Sequence, residues 1–487
     1  MLFNSYPFIF VYLPVVFAAF FLTAKYVSHR AATFVLVSAS FIFYGYWDYH
    51  YVPLLFASIT FNYLIGKQID RTAKRKLWLV LGLAVNIALL GYFKYTDFFL
   101  TTVNDLSDST FDLPHIILPL GISFFTFTQS AYLIDAYRNE AAQHNFLTYC
   151  EFVTIFPHLI AGPIINHKKM LPQFTAAETF HINIENVAMG LTLFAMGLAK
   201  KVLIADNLAP IANDVFSRAD SLTFLEAWIG AISYTFQLYF DFSGYSEMAI
   251  GLGLMFNLKL PINFNSPYQA RSIIDFWRRW HMTLGAWVKD YLYIPMGGNR
   301  HGELRKMRNL FASMLIIGLW HGAGWTFIIW GGLHGLFLMI NHQWRRLKIN
   351  LPKGINWGLT FLCVVICWVF FRADTSSHAI AVLTAMTDLH NICLPSGGSY
   401  EKHLAFLGSC GVEFVKWPMP GSLFNISVKL CILILILALC PNPQNLLIIL
   451  HNRPRRLEAL AGVLGFVLAF TLLAIAHIES EFLYFQF

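Results

Sequence analysis

Apolar runs long enough to cross a bilayer as a helix, which takes roughly 20 residues, recur along this chain from one end to the other. They occupy residues 7–24, 32–47, 51–66, 77–93, 115–134, 187–205, 224–240, 310–340, 356–371, 426–440 and 459–476. In lipid no water is present to satisfy backbone amides and carbonyls, so each run must satisfy its own, and helix is the form that does so. The pattern predicts an all-α polytopic membrane protein with about a dozen membrane segments. A soluble globule is excluded by composition, since 57% of the residues are hydrophobic, 13% are charged and the mean hydropathy is +0.56,.

The first run follows Met1 with no basic segment and no small-residue cleavage site, so it reads as a retained span and not as a removed signal peptide,. The net charge is +7, and the lysines and arginines gather in short segments between runs: Arg71 to Lys76, Arg345 to Lys348 and Arg453 to Arg456. The positive-inside rule places these loops in the cytoplasm. They are too brief and too widely separated to form a nucleic-acid surface. Residues 1–487 read as one membrane domain with modest loops at 94–112, 139–148, 206–222 and 373–425.

Seven cysteines show no metal-ligand spacing, and neither a metal nor a bound cofactor is expected. Cys363 and Cys367 lie in an apolar run and read as packing residues,. Cys393 and Cys410 fall in the longest polar loop, where a disulfide requires an oxidising compartment,; the sequence leaves this open.

From Leu238 to Arg300 the pattern changes. Asp241, Glu247, Arg271, Asp275, Arg278, Arg279, His281, Lys289 and Asp290 are scattered among apolar residues. The segment is too polar for lipid-facing helix and too apolar for a soluble loop, so short re-entrant or interfacial helices lining a hydrated cavity are expected.

The stretch Asn309 to Ile340 is apolar except near His321 and His334, with glycines at 322, 324, 331, 332 and 335. An ionisable group at that depth is costly and marks a functional site unless it serves only to join helices. The glycines favour a helix break and a cavity over a tight seam. A neutral imidazole suits proton transfer, so His321 is a candidate base for activating a hydroxyl. His281 lies in FWRRWHMT, where helical spacing would put it on one face with Trp277 and turn Arg278 and Arg279 to another,. Those arginines suit either a phosphate-bearing acyl donor or lipid headgroups. His334 has no polar neighbours and reads as packing. The MGGNR turn at 296–300 matches no nucleotide motif, and no G-x-S-x-G elbow is present,. The FLYFQF tail at 482–487 reads either as an aromatic anchor at the outer surface or as the carrier of a hydroxyl on Tyr484,.

Several blocks together resemble the membrane-bound O-acyltransferase (MBOAT) family: MLFNSYPFIFVYLP at the start, PLGISFFTFTQSAYLIDAYR at 119–138, FPHLIAGPI at 156–164, YFDFSGYSEMAIGLGLMF at 239–256, residues 263–300, GLWHGAGWTFIIWGGLHG at 318–335 and the tail. The resemblance is strongest to the alginate O-acetyltransferase (AlgI) branch, which includes peptidoglycan and other polysaccharide acetylation proteins. It implies the MBOAT fold, with membrane helices around a central funnel or tunnel. It makes His321 and His281 the catalytic pair, and marks Trp277, Arg278, Arg279, Trp280, Trp320 and Asn263 as donor-site or tunnel-lining candidates. It implies a multi-pass protein of the bacterial inner membrane, acetyl-CoA as a cytoplasmic thioester donor, and a periplasmic SGNH-type partner. In related D-alanylation systems a small partner ends in a similar aromatic sequence, which makes Tyr484 an acyl-relay candidate here. Two other readings stay open at this point: a polysaccharide or small-molecule transporter, since broken helices and buried charges also build pathways, and a non-catalytic scaffold of an acetylation complex.

Overall fold

A computed structural model describes residues 1–107, 109–141, 145–396, 401–410, 412–439, 442–444, 465 and 482–483. The chain is mostly helical, 75%, and among the described residues four helices are long and apolar enough to cross a membrane: Pro7–Tyr26, Arg75–Ser107, Ile184–Ser217 and Lys353–Arg372. Other apolar runs also form helices, including His29–Gly45, Val52–Arg71, Ile122–Tyr137 and Leu423–Leu439. The run at 459–476 lies outside the described residues apart from residue 465, as does Arg453 to Arg456.

The helix Phe224–Met255 forms the axis of the bundle, and almost every side chain on it is buried. It starts at a capping box in which the Glu226 carboxylate accepts from the Thr223 amide (2.9 Å) and hydroxyl (2.7 Å),. Its partner is Ile184–Ala199, and the two backbones approach so closely that a Cβ on Gly197 would stand 2.5 Å from the carbonyl oxygen of Gly244. Small residues at a crossing are how membrane helices gain packing where lipid offers no hydrophobic drive. A π-helical turn at Lys200–Ala205 then aims two lysines at the axis helix,. Lys200 pairs with Glu247 at 2.6 Å, and Lys201 with Asp241 at 2.7 Å and Asp206 at 2.9 Å.

The structure departs from the sequence reading in three places, the first explained by these pairs. Residues 238–255 belong to one long buried helix, not to short re-entrant pieces, because their carboxylates are neutralised inside the protein. Residues 206–222, expected as a loop, contain the helix Asp206–Ser217. Residues 94–107, also expected as a loop, continue the helix Arg75–Ser107, with Lys94 buried in it.

Beyond Met255 the path is irregular. Asn257 and Ser266 adopt left-handed backbone conformations ahead of the short helix Ile273–Trp277, and His281 does so between it and Met282–Val288. The hairpin of Glu303–His321 and Trp325–Arg346 follows, and then Lys353–Arg372. The 373–425 region holds the helix Ser376–Ala385 and a small exception to the all-α expectation, a parallel pair of strands at Cys393–Pro395 and Glu413–Val415 with Cys393 opposite Glu413. Cys393 is a free thiol, its Sγ 3.5 Å from Asn391 Oδ1; the side chain of Cys410 lies outside the described residues.

Candidate active site

The helix Glu303–His321 stops at His321 because Gly322 is extended (φ −155°). Its last carbonyls face a neighbouring helix that supplies donors. The Lys94 ammonium donates to the oxygens of Trp320 (2.5 Å) and His321 (3.1 Å), and the Tyr95 hydroxyl to that of Leu319 (2.8 Å). Ser123 Oγ lies 3.5 Å from the same ammonium. Helix C-termini leave carbonyls without partners and carry partial negative charge, so a buried cation there satisfies both. No sequence signal marked Lys94 and Tyr95 as part of the site, although a lysine framed by aromatic residues at the end of an apolar run was visible.

The glycines after His321 make a seam, not a cavity. A Cβ on Gly331 would lie 2.4 Å from the Met314 carbonyl oxygen, and one on Gly318 2.3 Å from that of Phe327. The expectation of open space beside the imidazole is therefore corrected: the hairpin helices need backbone contact, and Phe327 fills the room beside Gly322. The His321 ring is buried among aromatic faces, 5.1 Å from Trp330 at 89°, 5.3 Å from Phe371 at 74° and 4.9 Å from Trp320.

His281 does not share a helical face with Trp277. The helix ends at Trp277, the chain turns through Arg278 to Trp280, and His281 (φ 44°, ψ 53°) caps the next helix. That backbone state is uncommon for a residue with a side chain and persists only where the surroundings hold it. Asn263 provides the hold. Its carbonyl oxygen accepts from the Met282 amide at 2.8 Å, and its side-chain Oδ1 accepts from the Thr283 amide (3.3 Å) and hydroxyl (2.9 Å). The same Oδ1 lies 3.0 Å from His281 Nδ1, and Asn263 Nδ2 donates to Ser246 Oγ at 3.2 Å. A backbone N–H can only donate, so the Thr283 amide orients the Asn263 amide with Oδ1 toward His281. The histidine proton then belongs on Nδ1, which leaves the lone pair on Nε2.

The two imidazoles stand with ring centroids 6.5 Å apart at 54°. Phe242 meets His281 edge-on at 4.8 Å. Trp280 is buried against Trp368 (4.9 Å) and Phe264 (5.1 Å), and Trp320 stacks on Phe127 at 4.8 Å, so both act as walls. Trp277 donates its indole N–H to His334 Nδ1 at 3.3 Å, which gives His334 the helix-joining role its apolar setting suggested. The arginines part company: Arg279 bonds Asp275 (2.9 Å) and the Asn265 carbonyl (3.3 Å), whereas Arg278 is exposed.

Arg278 and Lys289 lie on the exposed rim of a cleft of about 400 Å³ that is otherwise largely apolar. Its lining includes Trp277, Met282 and Ile317. Met282 follows His281 directly, and Ile317 lies one helical turn before His321 on the same side. A second, smaller cavity of about 220 Å³ opens on the other side of Met282–Val288, lined by Lys169, Lys259, Thr283 and Asp290. Among the described residues, no group of three His, Cys, Asp or Glu side chains is placed to hold a metal ion.

The membrane helix bundle thus places two buried histidines beside a cleft with a cationic rim. The chain belongs to the membrane-bound O-acyltransferase family, whose model matches residues 93–371, and it is accordingly an acyltransferase. It is 44% identical to the peptidoglycan O-acetyltransferase of Helicobacter pylori, over 100% of this chain and 98% of that one. It is 46% identical to the Pseudomonas aeruginosa protein named probable alginate O-acetylase AlgI, over 79% of this chain and 75% of that one. A more distant relative is the teichoic acid D-alanyltransferase of Streptococcus thermophilus, 27% identical over 48% of this chain and 59% of that protein.

Proposed function

We propose that this protein is the membrane component of a system that O-acetylates an extracytoplasmic polysaccharide, alginate and peptidoglycan being the polymers in its relatives' names. In this reading it lies in the bacterial inner membrane, takes the acetyl group from cytoplasmic acetyl-CoA, and works with a periplasmic SGNH-type partner that completes transfer to the polymer. The observation that carries the reading is the facing pair of buried imidazoles, 6.5 Å apart, next to a cleft whose rim bears Arg278 and Lys289. Phosphate groups of a donor suit that rim, and a thioester arm suits the apolar interior.

His321 takes the proton of an acceptor hydroxyl as the oxygen attacks the thioester carbonyl carbon. The C–O bond forms, the C–S bond breaks, and the leaving thiolate recovers a proton from the imidazolium. His281, with its proton held on Nδ1 by Asn263, presents Nε2 toward the same space and steadies the developing charge or the incoming hydroxyl. The acceptor is Tyr484 or a serine of the partner; in the first case the tyrosyl ester passes its acetyl group on at the outer surface. Tyr484 lies outside the described residues.

The test is transfer of radiolabelled acetyl from acetyl-CoA by the purified chain in lipid, with and without an SGNH-type partner. Label reaching polymer only when both proteins are present supports the reading. Movement of intact polymer or acetyl-CoA across vesicles without transfer would point instead to a transporter and sink it.

A further inference from the structure

Phe482 and Leu483 sit inside the bundle, both buried. The Leu483 amide donates to Asp241 Oδ2 at 2.9 Å. The Phe482 ring lies 4.7 Å from the Lys201 ammonium and meets Tyr245 edge-on at 4.6 Å. Asp241 and Tyr245 are one turn apart on the Phe224–Met255 helix and so share a side,. Lys201 is pinned between Asp241 and Asp206, and Tyr245 is backed by Phe3 at 4.8 Å. An aromatic anchor at a membrane surface needs none of this. A main-chain amide on a buried carboxylate is a directional, charge-assisted contact, and a ring over an ammonium gains most where water is excluded. One residue along the same helix, Phe242 touches His281. The receptor for the tail and the floor of the histidine site are thus two sides of one helix.

We propose that Asp241, Lys201 and Tyr245 form a docking site for the chain's own C-terminal segment, and that it sets the register in which Tyr484, the next residue after Leu483, reaches the His281–His321 pair. The docking stands on the contacts just given; the register role rests on the relay reading above.

Two measurements on the full chain in membranes test it. With the photocrosslinker p-benzoylphenylalanine at position 482, crosslinks should map to peptides containing Lys201 or residues 241–245; crosslinks only to lipid or to other segments would overturn the docking. In the acetyl-transfer assay, Phe482→Ala should lower turnover at least tenfold while the KM for the thioester and membrane insertion stay as in the parent, and Phe482→Tyr, which keeps the ring, should restore turnover. Parent-level turnover for Phe482→Ala overturns the register role. Tyr484→Phe keeps the aromatic tail and removes only the hydroxyl: should it transfer acetyl normally while the crosslink still forms, the relay fails and the docking site stands.

Discussion

Lys94 binds the end of the helix that carries His321. Its ammonium lies 3.1 Å from the His321 carbonyl oxygen and 2.5 Å from that of Trp320, although 226 residues separate Lys94 from Trp320 in sequence. The imidazole proposed as the base is therefore placed by a helix distant in the chain. Replacing Lys94 with Met keeps the apolar stem and leaves two buried carbonyls unsatisfied, at about 1–3 kcal/mol for each lost partner. The expected result is a lower unfolding temperature together with a turnover loss of about tenfold or more, a factor of ten corresponding to 1.4 kcal/mol. Lys94→Arg, which keeps the charge and donors, should retain more of both. Unchanged turnover in the Met variant would show that the His321 helix holds its end without help.

Removing the imidazole itself separates chemistry from folding. His321→Ala should lower acetyl transfer by about 10²–10⁴-fold, the usual contribution of a general base, while expression and membrane insertion match the parent. Normal transfer by a fully inserted His321→Ala protein would remove His321 from the mechanism.

Asn263 controls both the backbone and the tautomer of His281, so the two effects are distinguishable. Asn263→Leu, which removes every side-chain hydrogen bond, should reduce turnover by about 10–100-fold, the range typical of losing a group that orients a histidine. Thr283→Val removes only the hydroxyl donor at 2.9 Å and also leaves the Ile164 amide without its acceptor at 3.0 Å, yet keeps the Thr283 amide on Asn263. A smaller loss is expected. Equal effects of the two variants in a steady-state transfer assay would mean that the Asn263 contact with His281 adds nothing to turnover beyond the Thr283 hydroxyl bond lost in both.

The hairpin seam gives a stability contrast. Gly331→Ala forces a methyl group to 2.4 Å from the Met314 carbonyl oxygen, while Gly332→Ala meets nothing closer than Leu315 Cδ2 at 3.6 Å. Overpacking of this kind costs about 1–3 kcal/mol, so thermal unfolding in detergent should move down for Gly331→Ala and stay near the parent for Gly332→Ala. If both behave like the parent, the helices are free to separate at this crossing.

Helix content and the polytopic class were legible because apolar runs in lipid have one way to satisfy their backbones. His321 was legible as an isolated polar group in an apolar run, and His334 as a packing residue. The helical face drawn through Trp277 and His281 was not, because periodicity reports no break without a proline or glycine, and the turn at Arg278 to Trp280 and the left-handed His281 after it are held by Asn265 and Asn263 from outside the segment. Asp241, Glu247 and Lys94 misled for a common reason. Local hydropathy counts each charge as an interruption, whereas Lys201, Lys200 and the Trp320 and His321 carbonyls neutralise or satisfy them across the bundle.

What the sequence by itself determined is the solvent this chain folds in, the helical form of its runs, and the short list of side chains able to move a proton. The tertiary structure alone decided which of them meet: it turned His281 toward His321 through a left-handed residue, closed the glycine hairpin, and seated the tail with Phe482 on Lys201 and Tyr245 and the Leu483 amide on Asp241. The physical reason is that burial rewards local apolarity wherever it occurs, while charge pairing and hydrogen bonding depend on distances between segments that no local pattern encodes.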